Sequence, residues 1–143
     1  MQVKHILFEK GREVVTIASE ATLSEAARLM ARRRIGAVVV RGRDGAISGI
    51  ISERDLVRAI AEESVSALAQ TVGSHMTQEV TTCTDVDTIE DLMETMTRGR
   101  FRHVPVVDDD RLIGIISIGD VVKTRIEETT REAESLREYI AAR

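Results

Sequence analysis

Aromatic residues are nearly missing from this chain of 143 residues: there is no Trp, a single Tyr, and an aromatic fraction of only 2%. A core without large rings must be assembled from Ile, Val, Leu, Ala and Met, and 43% hydrophobic residues are enough to exclude a disordered chain. Stacking platforms for bases are scarce, and a net charge of −4 offers no broad basic face, which excludes general nucleic-acid binding. A small local basic pocket for a phosphate remains compatible with that balance. Cysteine is equally scarce. Cys83 stands alone, so no internal disulfide can form, which fits a reducing cytoplasm, and it reads as a small buried residue. No apolar run approaches the length of a membrane span, and Met1 to Phe8 is too polar for a signal peptide. The expectation is a cytoplasmic protein with neither a membrane nor a nucleic-acid partner. Catalytic signatures are missing as well: there is no nucleophile elbow, His-Glu-x-x-His, Cys-x-x-Cys or P-loop. His5, His75 and His103 are scattered without metal-ligand spacing. Neither an enzyme nor a metal site is expected.

What the chain does have is an internal repeat. Gly49-Ile50-Ile51-Ser52-Glu53-Arg54-Asp55-Leu56-Val57 recurs as Gly114-Ile115-Ile116-Ser117-Ile118-Gly119-Asp120-Val121-Val122. Upstream, Thr22-Leu23-Ser24-Glu25-Ala26-Ala27 matches Thr88-Ile89-Glu90-Asp91-Leu92-Met93. The spacing changes by one residue between the two matches, in the loop where Arg41-Gly42-Arg43-Asp44-Gly45 faces Val107-Asp108-Asp109-Asp110. Each copy reads as a short strand (Val14 to Ile17, or Val80 to Thr82) and then a helix capped by Thr22 or Thr88. An apolar face follows in each helix: Leu23, Ala26, Ala27 and Met30, or Ile89, Leu92, Met93 and Met96. A hairpin comes next, Ala37 to Val40 with Ile47 to Ser52, or His103 to Val107 with Leu112 to Ser117. A closing helix starts at Ser-x-x-Asp.

The unit is β-α-β-β-α, an α+β fold. One unit cannot bury both faces of so small a sheet. Two copies packed sheet to sheet about a pseudo-two-fold can, so the repeat predicts an obligate intramolecular pair. The predicted organisation is an N-terminal helical lead-in over 1–13, repeat one over 14–61, a connector with short helical turns over 62–77, repeat two over 78–123, and an extension of a long C-terminal helix over 124–143.

Two such units, each with Gly-x-x-Ser-x-x-Asp after the last strand, resemble a tandem pair of CBS (cystathionine β-synthase) domains, a Bateman module. The resemblance spans roughly Val14 to Lys123, and the chain is similar to small stand-alone bacterial pairs. It implies a non-catalytic regulatory module needing no cofactor, with an adenine nucleotide as regulatory ligand. AMP, ADP, ATP, NAD(H) or S-adenosylmethionine would bind in two clefts between the repeats. A downstream protein partner, not identifiable from the sequence, would receive the signal.

The residues themselves suit such a ligand. Ser52 and Asp55, like Ser117 and Asp120, sit where a strand becomes a helix, so free N–H groups and the helix dipole favour an anion there. The serine offers a donor to phosphate and the aspartate an acceptor pair to ribose hydroxyls; in the family resembled, these positions bind phosphate and ribose respectively. The same four residues also spell two capping boxes, which stabilise a helix with no ligand at all. The two roles are compatible. For adenine, the candidates are Gly36, Ala37 and Val38 and the matching Arg102, His103, Val104 and Pro105, preceded by Ile35 and Phe101. Gly36 would let a base approach the backbone, or merely relieve packing before a strand. Arg100, Arg102 and His103 form the main basic cluster, with Arg102 and His103 read as facing phosphate. Arg32-Arg33-Arg34 reads as a solvated helix end. Glu53-Arg54 against Ile118-Gly119 makes the two clefts unequal. A scaffold that dimerises with empty clefts is the rival reading.

The last helix is predicted from about Ile118 to Ala142. Val122, Ile126, Thr129, Ala133, Leu136 and Ile140 form one apolar stripe, opposite Arg125, Glu128, Arg131, Glu132, Glu138 and Arg143. The early stripe is expected to pack on its own module and the later part on a second copy, as a homodimer.

Overall fold

The structure is a computed structural model and describes residues 1–42 and 44–142; Arg43 of the first hairpin loop and Arg143 of the polar helix face lie outside the described residues. The first half consists of α1 (Val3–Lys10), β1 (Thr16–Ala18), α2 (Leu23–Arg33), β2 (Ala37–Arg41), β3 (Ile47–Ser52) and α3 (Glu53–Glu63). A connector follows, made of a 3₁₀ segment (Ser64–Ala69) and α4 (Val72–His75). The second half contains α5 (Ile89–Gly99), β4 (His103–Asp108), β5 (Arg111–Ser117) and α6 (Ile118–Ala141).

The repeat is visible down to its caps. Thr22 and Thr88 each accept the N–H three residues on, from Glu25 and Asp91, at 3.1 Å. Both helices then end on an arginine in the left-handed conformation, Arg34 and Arg100, each with φ of 56°. Strand β1 pairs in parallel with β2, and β2 antiparallel with β3, in the order β1-β2-β3. In the second half β4 pairs antiparallel with β5, and Asp109 and Asp110 make the turn with positive φ at both residues.

Two sequence expectations shift here. The first strand starts at Thr16, not Val14, and runs to Ala18. The strand expected over Val80 to Thr82 is, among the described residues, a single bridge one position later, where Cys83 pairs with Val106. Thr81 and Thr82 are exposed and only Cys83 turns inward, so one rung is all that burial rewards.

Packing crosses the two halves. One core cluster joins Val38, Val40 and Ile51 of the first sheet to Leu23, Ala26 and Met30 of α2 and to Ala67 and Val72 of the connector. The other joins Val104, Val106 and Ile116 to Ile89, Leu92 and Met96 of α5, and to Val3, Ile6 and Leu7 of α1. Each half is thus closed by the helical segment that precedes the other half's first strand region. Backbone bonds repeat the exchange: Val3 N–H donates to Asp87 and Ile89 N–H to Met1, while Leu23 N–H donates to Gln70 and Val72 N–H to Ala21. Ala37 and Val39, on the face of β2 away from the helices, are buried too, so that face is covered by the other half.

The long helix is present, but its buried face is not the one expected. Val121 and Thr124 pack inward, whereas Val122 and Ile126 are exposed. One residue is a rotation of about 100° on a helix, enough to turn the whole stripe outward. From residue 129 to 142 every position is exposed.

Leu7 is 1% exposed and Phe8, its neighbour on α1, is 90% exposed. If α1 closes the second half, Leu7→Ala costs about 2–5 kcal/mol in urea unfolding and Phe8→Ala stays within about 0.5 kcal/mol. Equal effects would contradict that packing.

Candidate functional site

Both Ser-x-x-Asp sequences form their capping boxes. Ser52 N–H and its hydroxyl donate to Asp55 Oδ2 at 2.9 and 3.0 Å, and Asp55 N–H donates back to Ser52 Oγ at 3.3 Å. Ser117 and Asp120 do the same at 2.8 and 3.2 Å. Each cap consumes one carboxylate oxygen. Asp55, only 6% exposed, keeps its Oδ1 for other partners, with Arg58 Nη1 3.5 Å away. A buried carboxylate held by a helix start, with one oxygen to spare, is an acceptor for a hydroxyl pair.

That carboxylate opens into a cleft of about 370 Å³ running along the seam between the halves, within the range of small-molecule sites. The first half contributes Gly36, Ala37, Ile50, Ser52 and Asp55, and the second contributes Gly99, Arg100, Phe101, Arg102 and His103. Of the residues singled out in the sequence, the cleft therefore gathers Gly36, Ala37, Ser52, Asp55, Arg102 and His103. Ser117 and Asp120 lie at the corresponding place in the second half. Val38 and Val104 point into the helix-side cores, because strand alternation sends them opposite to Ala37 and His103. Pro105 offers its carbonyl to Cys83 N–H at 3.0 Å.

Several lining residues were not among the predicted ligand contacts, although Glu53 and Arg54 had been read as making the two clefts unequal. Glu53 and Arg54 of α3, and Arg58 one turn on, border the cleft. Thr77, Glu79, Val80 and Thr81 form another wall. Thr77 is fixed there by two bonds with Ile50, N–H to carbonyl in each direction, at 2.9 and 3.0 Å. The failed strand over Val80 to Thr82 was the available signal: polar, exposed residues at a position where the first copy has a strand. Arg54 Nη1 donates to the Arg100 carbonyl at 2.9 Å, tying α3 to the left-handed end of α5 across the cleft.

Gly36 is a point of close approach. A Cβ there would meet His103 Cε1 at 3.3 Å and the Glu53 carboxyl carbon at 3.5 Å. His103 thus lies between the halves. Burial pushes its pKa below the usual 6.5; Lys10 pushes it the same way, against the opposing pull of Glu53 and Asp120. The ring is neutral at pH 7, so it meets a ligand as an uncharged donor or acceptor and not as a cation. Burial, and then Asp87, push the Cys83 thiol up to about 12, which makes it a poor nucleophile. Among the described residues no cluster suits a metal ion, and no helix is long and apolar enough to cross a membrane.

The CBS domain model matches residues 3–62 and 72–127. The chain is 37% identical over 146 residues to the mitochondrial CBS domain-containing protein CBSX3 of Arabidopsis thaliana, covering 96% of this chain and 71% of the relative. The crystal structure of the CBS-domain containing protein ATU1752 from Agrobacterium tumefaciens superposes with a TM-score of 0.85 at 51% identity, covering 87% of this chain and 92% of that one. The CBS domain protein PAE2072 from Pyrobaculum aerophilum, complexed with AMP, superposes with a TM-score of 0.75 at 30% identity, covering 84% and 89%.

His103 yields a titration test. Its folded pKa lies below the unfolded value, so its contribution to stability is complete above about pH 6.5 and is lost as pH falls through the folded pKa. The imidazole signal of His103 followed by NMR is expected to titrate below 6.5, and His103→Gln to lose part of the acid sensitivity of the wild type. A midpoint at or above 6.5 would contradict the neutral ring.

Proposed function

The chain belongs to the CBS-domain family, and on that premise we propose that it is a non-catalytic regulatory module that binds an adenosine-containing nucleotide in the cleft at Ser52 and Asp55. The observation that carries this reading is the meeting, in one cleft, of the spare oxygen of Asp55 with the basic segment Arg100 to His103 of the other half. Ribose hydroxyls would fall to Asp55. Phosphate would meet the N-terminal turn of α3, the Ser52 hydroxyl and Arg102. The base would lie against Gly36 and Ala37 and the ring of Phe101, one of only two Phe in the chain. Four guanidinium groups (Arg54, Arg58, Arg100, Arg102) face three carboxylates (Glu53, Asp55, Glu79) around the cleft. A local positive excess in a chain of net charge −4 favours an anionic ligand. AMP, ADP, ATP, NAD(H) and S-adenosylmethionine all fit this description, and the AMP complex of the Pyrobaculum aerophilum protein supports starting with AMP. We place the chain in the cytoplasm, on its single buried thiol.

We further propose that it acts as a homodimer and passes the ligand signal to a protein partner through helix packing. Val57 on α3 and Val122 on α6 occupy the same position in the two repeats, and both are exposed. Ile60 extends the first patch. Ile126, Leu136 and Ile140, each about 60% exposed, extend the second along the free length of α6. Paired apolar helix faces of this extent favour a symmetric partner copy.

A thermal-shift panel of the named nucleotides tests the ligand. A specific one stabilises the fold by about 2.7 kcal/mol at a hundredfold excess over its Kd. Asp55→Ala is expected to weaken that binding by about 1.5–3 kcal/mol, and Arg102→Ala to weaken AMP far more than adenosine. An AMP affinity untouched by Asp55→Ala would overturn the assignment.

Light scattering tests the dimer. The intact chain is expected to have twice the monomer mass at micromolar concentration, and truncation after Thr130 to shift it toward monomer. A monomeric intact chain would end the dimer reading.

A further inference from the structure

At Gly36 two polar side chains from different halves come together. A Cβ placed there would meet His103 Cε1 at 3.3 Å, and the carboxyl carbon and Oε1 of Glu53 at 3.5 and 3.6 Å. All three residues line the cleft. Glu53 is the first residue of α3, yet it takes no part in the cap, which Ser52 and Asp55 make between them. Its exposed carboxylate makes no hydrogen bond and no ion pair among the described residues. The imidazole of His103 likewise has no hydrogen-bond partner among them. An acceptor and a ring that can donate thus flank a position with no side chain of its own.

The ordinary reasons for an acid at this place fall short. A carboxylate near a helix start gains from the dipole. The second repeat, however, puts Ile118 at the same position, packed against its core, and α6 starts there on the same Ser-x-x-Asp cap. Charge argues against Glu53 as well. In a cleft whose guanidinium groups attract an anion, one more carboxylate weakens the pull. Its presence is explained if the ligand brings a hydrogen-bond donor to it.

The base carries such a donor. Along one edge adenine shows its N6 amino group beside the N7 acceptor, whereas a 6-oxopurine shows two acceptors there, O6 and N7. A carboxylate only accepts, and an uncharged imidazole has one N–H to give. Glu53 and His103 therefore match N6 and N7 of adenine, while Glu53 would meet O6 of hypoxanthine or guanine as acceptor against acceptor. We propose that Glu53, with His103 beside it, reads the base edge at Gly36 and makes this cleft select a 6-aminopurine over a 6-oxopurine. The proposal rests on the nucleotide reading for its ligand and adds the residue that decides which base is admitted.

Calorimetric titration of the full chain with AMP and IMP, whose bases carry an amino and an oxo group at the same carbon, decides it. The wild type is expected to bind AMP at least about tenfold more tightly than IMP. Glu53→Gln keeps an acceptor and gains a donor, so AMP is expected to hold its affinity while IMP rises until the two bind alike. Glu53→Ala is expected to weaken AMP about tenfold and to leave IMP level or stronger. 7-Deaza-AMP, which lacks the N7 acceptor, is expected to bind the wild type several-fold more weakly than AMP, and His103→Ala no more weakly than AMP. Equal binding of AMP and IMP by the wild type, or a wild-type ratio kept in both Glu53 variants, would overturn the proposal. 7-Deaza-AMP binding the wild type as AMP does would overturn the His103 contact. A role at the helix start alone would lower the urea midpoint of both Glu53 variants and leave the AMP-to-IMP ratio in place. Asp55→Ala separates this proposal from the reading beneath it. AMP binding lost in that variant, with the ratio unmoved by Glu53, leaves the nucleotide site standing without this reader. AMP binding that is absent from the wild type, or indifferent to Asp55→Ala, ends the nucleotide reading and the proposal with it.

Discussion

Strand β2 is buried on both sides: Val38 and Val40 lie under α2 and α3, and Ala37 and Val39 are covered on the opposite face. A sheet of three strands has too few residues of its own to hide two apolar faces. The second half has the same shortage with only two full strands, and Val104, Val106 and Ile116 are fully buried there. Each half therefore needs the other, both at the sheet face and through the exchanged helical segments. Neither α1 nor the connector is an appendage: each supplies fully buried side chains, Val3 and Leu7 in one case, Ala67 and Val72 in the other.

The same exchange builds the cleft. A seam between two repeats leaves strand ends and helix starts facing each other, because every strand that leads into a helix does so at the rim. Capping boxes at Ser52 and Ser117 hold those helix starts and bury a carboxylate beside unpaired helix amides. A stabilising device and a binding device thus use the same atoms, with one oxygen of Asp55 assigned to each. The second half adds the cationic wall, and Arg54 clasps it by its bond to the Arg100 carbonyl. Since Thr77, at the end of the connector, binds Ile50 and also lines this cleft, a ligand there would meet the connector as well as both halves.

Much of this was legible in the sequence because it is local. Helix starts at Thr22, Thr88, Ser52 and Ser117 follow from caps three residues before an acidic partner. The hairpins follow from apolar runs around Gly- and Asp-rich turns. What was not legible depends on partners distant in the chain. Nothing near Val3 or Leu7 says that α1 closes the far half. The stripe on α6 was read correctly as a period but not as a face, since Val121 and not Val122 meets Ile89 and Leu92 in the core. Val80 to Thr82 looked like a strand by analogy with the first copy, but two exposed threonines gave it no face to bury. The bonds from the Lys10 ammonium to the Ile115 carbonyl and to Asp120 Oδ2 were equally invisible, because they span over a hundred residues. His103 was grouped with Arg100 and Arg102 as a basic cluster, yet burial lowers its pKa and sets it apart from the two arginines.

The account stands on one geometric claim: adenosine binds where the two halves meet at Asp55. A crystal structure of the chain grown with AMP tests it most directly. The predicted result is a nucleotide in the seam, its ribose hydroxyls on the Asp55 carboxylate and its phosphate between the start of α3 and Arg102. A nucleotide ordered elsewhere on the chain, with this cleft unfilled at saturating AMP, would contradict it.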